Sequence, residues 1–139
     1  MDSIVWTFEV DGKNFEHAGS ASQVTKARLK QMGLPNDVVR RVIIAMYEGE
    51  INMVIHAEGG RITVEISPSE IIMTLADKGP GIADIDKAMQ AGYSTAPDNV
   101  RSLGFGAGMG LPNMKKYTDE MQITTELGVG TTVVMKVYL

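Results

Sequence analysis

The sequence predicts an α/β sandwich with a mixed, mostly antiparallel sheet and helices on one face. Five short stretches have the pattern of strands, and the stretches between them include helical patterns. A short turn at Pro68–Ser69 separates two of the strands, which favours antiparallel pairing. The 139 residues are 44% hydrophobic and 22% charged, a composition that suits one buried core. We therefore expect a single domain over residues 1–139.

The N-terminal part is expected to begin with a strand and a helix. The strand, Ile4 to Val10, ends at the turn signal Asp11–Gly12. Ser20 or Ser22 would cap the helix, which runs to about Met32 because a glycine follows there. This order places the first strand before the long helical region.

A second helix and a strand pair are expected next. Asn36 is a good N-cap, and an apolar stripe runs from it towards Ala57. Two strands follow, Arg61 to Ser67 and Glu70 to Ala76, so the second of them delivers Asp77 at its end.

The C-terminal part is expected to be less regular before it closes in a hairpin. Residues 83–103 look irregular apart from a short helix around Ile85 to Gln90. A last helix opens at Leu111 or Pro112 and ends near Tyr117. The closing hairpin is expected to join Gln122–Glu126 to Thr131–Leu139.

The segment Gly104 to Leu111 has a glycine at every second position and leads directly into the last helix. Converging backbone amides and the positive end of a helix dipole suit a phosphate group, although a flexible surface loop is the open alternative. No Walker sequence occurs in the chain, and this segment contains no Gly-x-Gly-x-x-Gly turn. The glycine pattern therefore predicts a nucleotide site of a different kind.

Glu48 and Asn52 are four residues apart on the second helix, so they project from nearly the same face. An amide oxygen is a hard neutral ligand that suits Mg²⁺ already held by phosphates, and a nearby carboxylate can take a proton from an attacking hydroxyl. A solvated polar face is the alternative. The apolar residues around the pair favour a cavity instead.

Asp77 follows a strand and precedes Gly79 and Gly81. A carboxylate there can accept a hydrogen bond from an exocyclic amine while the glycines let a ring lie close to the backbone. An Asp-initiated turn is the alternative, and the residues alone do not separate the two.

Composition excludes several classes of function. A net charge of −4 argues against nucleic acid as the main partner, and no stretch is apolar enough for a membrane span. Without cysteine there are no disulfides or thiolate metal sites, and a count of only two histidines argues against a zinc site held by the protein. We therefore expect a cytoplasmic protein.

These motifs resemble, over essentially the whole chain, the N box, the two glycine boxes and the closing Gly-Thr of the GHKL ATPases. Within that superfamily the chain is most similar to anti-sigma-factor serine/threonine kinases and the stressosome switch kinase. The motifs in order are Glu48-x-x-x-Asn52-x-x-x-His56-Ala57, Asp77-x-Gly79-x-Gly81, Gly106-x-Gly108-x-Gly110 and Gly130-Thr131. Met53 departs from the N box, where a small residue is usual, so we expect a pocket of different width at this position.

The resemblance implies a GHKL-type two-layer fold with an ATP lid, and it implies a role for each matching residue. Glu48 would be the general base and Asn52 a Mg²⁺ ligand, while Asp77 would hydrogen-bond the adenine amino group. The other implied nucleotide contacts are Gly79 and Gly81 beneath the ring, Gly106, Gly108 and Gly110 at the phosphates, Thr131 at the adenine end through water, and Thr95 and Arg101 in the lid.

The implied activity is ATP- and Mg-dependent phosphorylation of a serine or threonine on a small STAS-type antagonist protein in a bacterial partner-switching system. A sigma factor or another regulator is a further expected partner, and a homodimer is a family expectation. The alternative is a nucleotide-dependent module that sequesters a regulator and has little or no kinase activity.

Overall fold

The computed structural model describes residues 3–12, 15–89 and 110–139, which form one sheet and the helices that cover it. The elements in chain order are β1 (Ile4–Asp11), a 3₁₀ turn (Phe15–His17), α1 (Ser20–Gln31), α2 (Asn36–His56), β2 (Gly59–Ile66), β3 (Glu70–Asp77), α3 (Ile85–Ala88), α4 (Gly110–Lys116), β4 (Glu120–Glu126) and β5 (Gly130–Tyr138).

The sheet has five strands in the order β1-β2-β3-β5-β4. Every pairing between these strands is antiparallel, so the parallel pairing of a mixed sheet does not occur among the described residues. Tight turns join β2 to β3 and β4 to β5, and such turns connect antiparallel neighbours. The predicted α/β sandwich is confirmed.

The core lies between one face of the sheet and the helices. Strand side chains alternate between this face and the opposite one, as the pleat requires. The buried strand residues are Ile62, Val64, Ile66, Ile71, Met73, Leu75, Val133, Met135 and Val137. The helices contribute Leu29, Val42, Met46, Met53 and Met114 to the same cluster.

Helix α2 is the central helix of this layer, with α1 packed on one side of it and α4 on the other. Its 21 residues combine an apolar face towards the sheet with polar side chains towards the flanking helices. Within the described residues, no helix is both long enough and apolar enough to cross a membrane.

The start of α1 is capped in a way that the sequence did not predict. The N-cap residue is Gly19, and neither Ser20 nor Ser22 caps the helix. Instead the Glu50 carboxylate of α2 accepts hydrogen bonds from the amides of Gly19, Ala21 and Ser22 at 3.0–3.1 Å, and from the Ser22 hydroxyl at 2.7 Å. A buried carboxylate thus satisfies the amides that a helix start leaves free.

Candidate functional site

Asp77 is the last residue of β3, as the sequence predicts, and it is half-buried. Its Oδ1 accepts the backbone N–H of Thr131 at 2.9 Å, which ties β3 to the start of β5. Burial raises the pKa of the Asp77 carboxyl above its usual range, and the Thr131 amide partly opposes this shift. Among the described residues, no hydrogen bond to the second carboxylate oxygen of Asp77 is found.

The loop after Asp77 is fastened to the hairpin between β4 and β5. The Gly79 N–H donates to the Val129 carbonyl at 3.2 Å, and the Gly128 N–H donates to the Pro80 carbonyl at 2.9 Å. Gly79 also lies against Ala57, where a Cβ would be 2.9 Å from the Ala57 Cβ. The loop therefore bridges the end of α2 and the hairpin.

Gly81 is the position in this loop where glycine is required. Its φ is +79°, and a Cβ would lie 2.7 Å from the Glu126 carbonyl oxygen. The next residue, Ile82, donates its N–H to the Thr125 hydroxyl at 2.9 Å. The loop backbone is therefore held at both Gly79 and Ile82.

Thr131 is 7% exposed and lies directly behind Asp77. Its hydroxyl is 2.9 Å from the hydroxyl of Thr125, its partner in the β4–β5 register. Sequence reasoning missed Thr125. The hairpin register, which places it opposite Thr131, is the signal that would have found it.

Glu48 lies half-buried on α2 and meets α4. Burial raises the pKa of the Glu48 carboxyl, and the nearby Asn113 side chain of α4 opposes the shift in part. Asn113 is a second residue that sequence reasoning missed, because nothing in a single sequence marks which side of α4 faces Glu48.

Asn52 lies one turn further along α2 and meets the first residue of α4. A Cβ on Gly110 would be 2.8 Å from the Asn52 Nδ2 and 3.1 Å from its Oδ1. Only a glycine lets the start of α4 come this close to the amide group. The last glycine of the second box and the N-box asparagine are thus in contact.

Met53, the departure from the usual N box, points away from this contact and into the core. Its side chain is 2% exposed and ends near Gly60 at the start of β2. Its bulk is therefore accommodated between the helix and the sheet.

Two groups of predicted site residues emerge. Glu48, Asn52 and Gly110 meet where α2 contacts α4, and Asp77, Gly79, Gly81 and Thr131 meet where β3 contacts the hairpin. Four predicted nucleotide contacts lie outside the described residues: Thr95, Arg101, Gly106 and Gly108.

The donor set fits a cation that a nucleotide brings with it. Among the described residues, no cluster of three or more His, Cys, Asp or Glu side chains is placed to hold a metal. Asn52 offers one neutral hard oxygen, so Mg²⁺ would need phosphate oxygens or water for most of its coordination.

Comparison with known proteins decides the family. The model of the histidine kinase-like ATPase domain matches residues 13–137. The chain belongs to this family. The predicted GHKL resemblance is therefore confirmed.

Members of the histidine kinase-like ATPase family that resemble this chain include three anti-sigma F factors. The one from Clostridium beijerinckii is 33% identical over 87% of this chain and 85% of its own length. Those from Clostridium acetobutylicum and a Geobacillus species are 35% and 33% identical, over 68% and 75% of this chain. The alignments span 66% and 64% of those two proteins.

Among solved structures, the mycobacterial sensor histidine kinase MprB has the same fold. The TM-score is 0.55, the identity is 14%, and 97% of each chain is covered. At this identity the likeness concerns the fold alone. It agrees with the two-layer architecture described above, and the family itself implies nucleotide binding.

Proposed function

We propose that this protein is an ATP- and Mg-dependent serine/threonine kinase of a bacterial partner-switching system. Its substrate is a hydroxyl on a small STAS-type antagonist protein, and the domain spans residues 1–139 in the cytoplasm. The observation that carries the proposal is the half-buried Glu48 carboxylate, one helical turn from Asn52 on a helix bordering both groups of site residues.

Glu48 is suited to act as the general base. Because burial raises its pKa, the carboxylate is a better proton acceptor than an exposed glutamate. In the transfer, the hydroxyl oxygen attacks the γ-phosphorus, the bond from that phosphorus to the bridging oxygen of ADP breaks, and Glu48 takes the hydroxyl proton.

Asn52 and Asp77 bind and orient the nucleotide in this proposal. Asn52 supplies an amide oxygen to Mg²⁺, which would neutralise charge on the phosphates. Asp77 accepts a hydrogen bond from the adenine amino group through Oδ2, since its Oδ1 already accepts the Thr131 N–H. The remaining proposed nucleotide contacts are Gly79, Gly81, Thr95, Arg101, Gly106, Gly108, Gly110 and Thr131.

A second candidate function is nucleotide-dependent sequestration of a sigma factor. The printed name of the relatives, anti-sigma F factor, favours it. Sequestration requires a surface that binds the regulator, but it does not require a general base.

The two functions are separated by Glu48→Gln. The purified protein is incubated with γ-labelled ATP, Mg²⁺ and native extract of its own cells, and labelled proteins are identified by mass spectrometry. A kinase labels a serine or threonine in the wild type, and the Glu48→Gln protein loses labelling while it still binds ATP.

Glu65→Gln is the matched control. Glu65 is also a half-buried carboxylate, but it lies on β2 among residues that alternate away from the core. Its substitution should leave labelling intact. If the wild type labels nothing although it binds Mg·ATP, the kinase proposal is wrong and sequestration is favoured.

A further inference from the structure

Thr125 of β4 joins the loop after β3 to the strand that carries Thr131. Its hydroxyl accepts the backbone N–H of Ile82 at 2.9 Å, and it lies 2.9 Å from the Thr131 hydroxyl. The Thr131 N–H in turn donates to the Asp77 carboxylate. A continuous series of contacts therefore leads from the loop, through the two threonines, to the carboxylate at the end of β3.

The Thr125 hydroxyl has one proton and two lone pairs, as every threonine has. The Ile82 N–H occupies one lone pair, because an amide nitrogen only donates. The proton lies towards the Thr131 hydroxyl at 2.9 Å or towards the Gly130 carbonyl at 3.4 Å. In both arrangements a single oxygen atom connects the loop to β5. A valine has the same shape, but it could make none of these bonds.

The bond from Ile82 to Thr125 differs in kind from the other bonds between the loop and the hairpin. The two others found among the described residues start at the amides of Gly79 and Gly128, and both join backbone to backbone. Many side chains could stand at those positions of the hairpin without breaking such bonds. Ile82 lies at the end of the loop, shortly before α3, and its bond to the hairpin depends on a hydroxyl at residue 125.

Gly81 lies between the held amides of Gly79 and Ile82, close to the hairpin. A Cβ at Gly81 would be 2.7 Å from the Glu126 carbonyl oxygen, so the loop and the hairpin backbone are in direct contact. A loop that is already fixed loses little conformational freedom when a ligand binds, whereas a loose loop must be ordered at that moment and binds more weakly. The fixed end of the loop is therefore expected to strengthen ligand binding beside it.

We propose that Thr125 is a positioning residue, which holds the loop from Gly79 to Ile82 in place for an adenine base beside Asp77. It acts through the Ile82 amide and the Thr131 hydroxyl, so it needs no contact with the nucleotide itself. This inference rests on the proposed binding of adenine at Asp77, but it does not depend on phosphoryl transfer.

The test compares Thr125→Val, which removes the hydroxyl and keeps the shape, with Thr125→Ser, which keeps the hydroxyl. Thr124→Val is the matched control, because Thr124 is exposed on the same strand and its side chain points to the opposite face of the sheet. Titration calorimetry on the full chain gives the dissociation constant of Mg·ATP. Hydrogen exchange followed by NMR gives the opening of the Ile82 amide in the nucleotide-free protein.

For Thr125→Val we expect the dissociation constant of Mg·ATP to rise by about 10-fold, because one hydrogen bond that orders the loop is lost. The Ile82 amide should exchange about 10-fold faster or more, while the amides between β3 and β5 keep their wild-type rates. Thr125→Ser should stay within about threefold of the wild type in both measurements, because the hydroxyl remains. Thr124→Val should change neither.

The inference is overturned if Thr125→Val binds Mg·ATP as tightly as Thr124→Val, or if Thr125→Ser binds as weakly as Thr125→Val. A weaker affinity with unchanged Ile82 exchange also overturns it, since the loss then arises by another route. A wild-type protein that binds ATP but phosphorylates nothing contradicts the kinase proposal alone, and the affinities still decide the role of Thr125. A wild-type protein that binds no ATP contradicts both.

Discussion

Glu48 and Asp77 are half-buried carboxyl groups, and burial raises the pKa of both. The folded protein therefore holds these protons more tightly than the unfolded chain. As pH rises from the ordinary carboxyl pKa through the raised one, folded-state stability is lost. The buried charge of each carboxylate destabilises the fold in full only above the raised pKa. A general base must also work in that pH range, because it has to be ionised.

The first prediction is that Glu48→Gln stabilises the nucleotide-free protein at neutral pH, because glutamine carries no charge to desolvate. At about pH 4, where the glutamate is largely protonated in both states, the difference should nearly vanish. Thermal unfolding at both pH values measures it, with Glu65→Gln as the control. An equal gain at both pH values would point to packing rather than to the buried charge.

The second prediction concerns Asp77→Asn. The side-chain oxygen of the asparagine would still accept the hydrogen bond from the Thr131 N–H. Its NH₂ group would then face the adenine amino group, so that two hydrogen-bond donors oppose each other. ATP affinity should fall by about 10- to 100-fold, and GTP affinity should fall less because guanine presents an acceptor there. Calorimetry with both nucleotides tests this, and the exposed Glu126→Gln serves as control. An unchanged ATP affinity would show that Asp77 does not contact the base.

The cap at the start of α1 is a contact between two helices, because the carboxylate that accepts its amides belongs to α2. Glu50→Ala would leave three backbone amides and the Ser22 hydroxyl without their acceptor. We predict a loss of about 2–4 kcal/mol in the free energy of unfolding, measured with urea. The exposed Glu58→Ala should change it little. A loss below about 1 kcal/mol would mean that water replaces the carboxylate.

The loop after β3 offers a fourth prediction. In Gly81→Ala the alanine would have a left-handed φ, and its Cβ would also collide with the Glu126 carbonyl. In Gly128→Ala the alanine would have only the left-handed φ of +78°, because no atom lies within 4 Å of its Cβ. Both should lose about 1–2 kcal/mol to backbone strain. Gly81→Ala should lose more and also bind ATP more weakly. Equal losses would show that the hairpin moves aside.

The sequence predicted elements well and contacts between elements less well. Glycines, prolines and apolar periodicity predicted the order of helices and strands, and the strand pattern before Asp77 predicted that this residue ends a strand. Glu50, Asn113 and Thr125 escaped prediction because their roles depend on how distant elements pack. Glu50 reaches amides about 30 residues away, and no local pattern encodes that register.

For the whole molecule, a nucleotide would connect α2, β3 and the hairpin, so binding should stabilise the entire fold. At 100 times its dissociation constant, Mg·ATP should add about 2.7 kcal/mol to the free energy of unfolding. We predict that Asn52→Ala removes the part of this gain that depends on Mg²⁺ and leaves a smaller gain from ATP alone. Thermal unfolding with ATP, with and without Mg²⁺, measures both parts. An undiminished Mg²⁺ effect would exclude Asn52 as the ligand.

Five consecutive residues of α2 each have a separate task. Glu48 and Asn52 face α4, Glu50 holds α1, Ile51 is buried, and a side chain at Gly49 would collide with Leu75 on β3. Because all five side-chain positions are used, we expect few substitutions to be tolerated in this stretch. An engineer who redirects this protein to another partner should therefore change its outer surfaces and leave these five residues as they are.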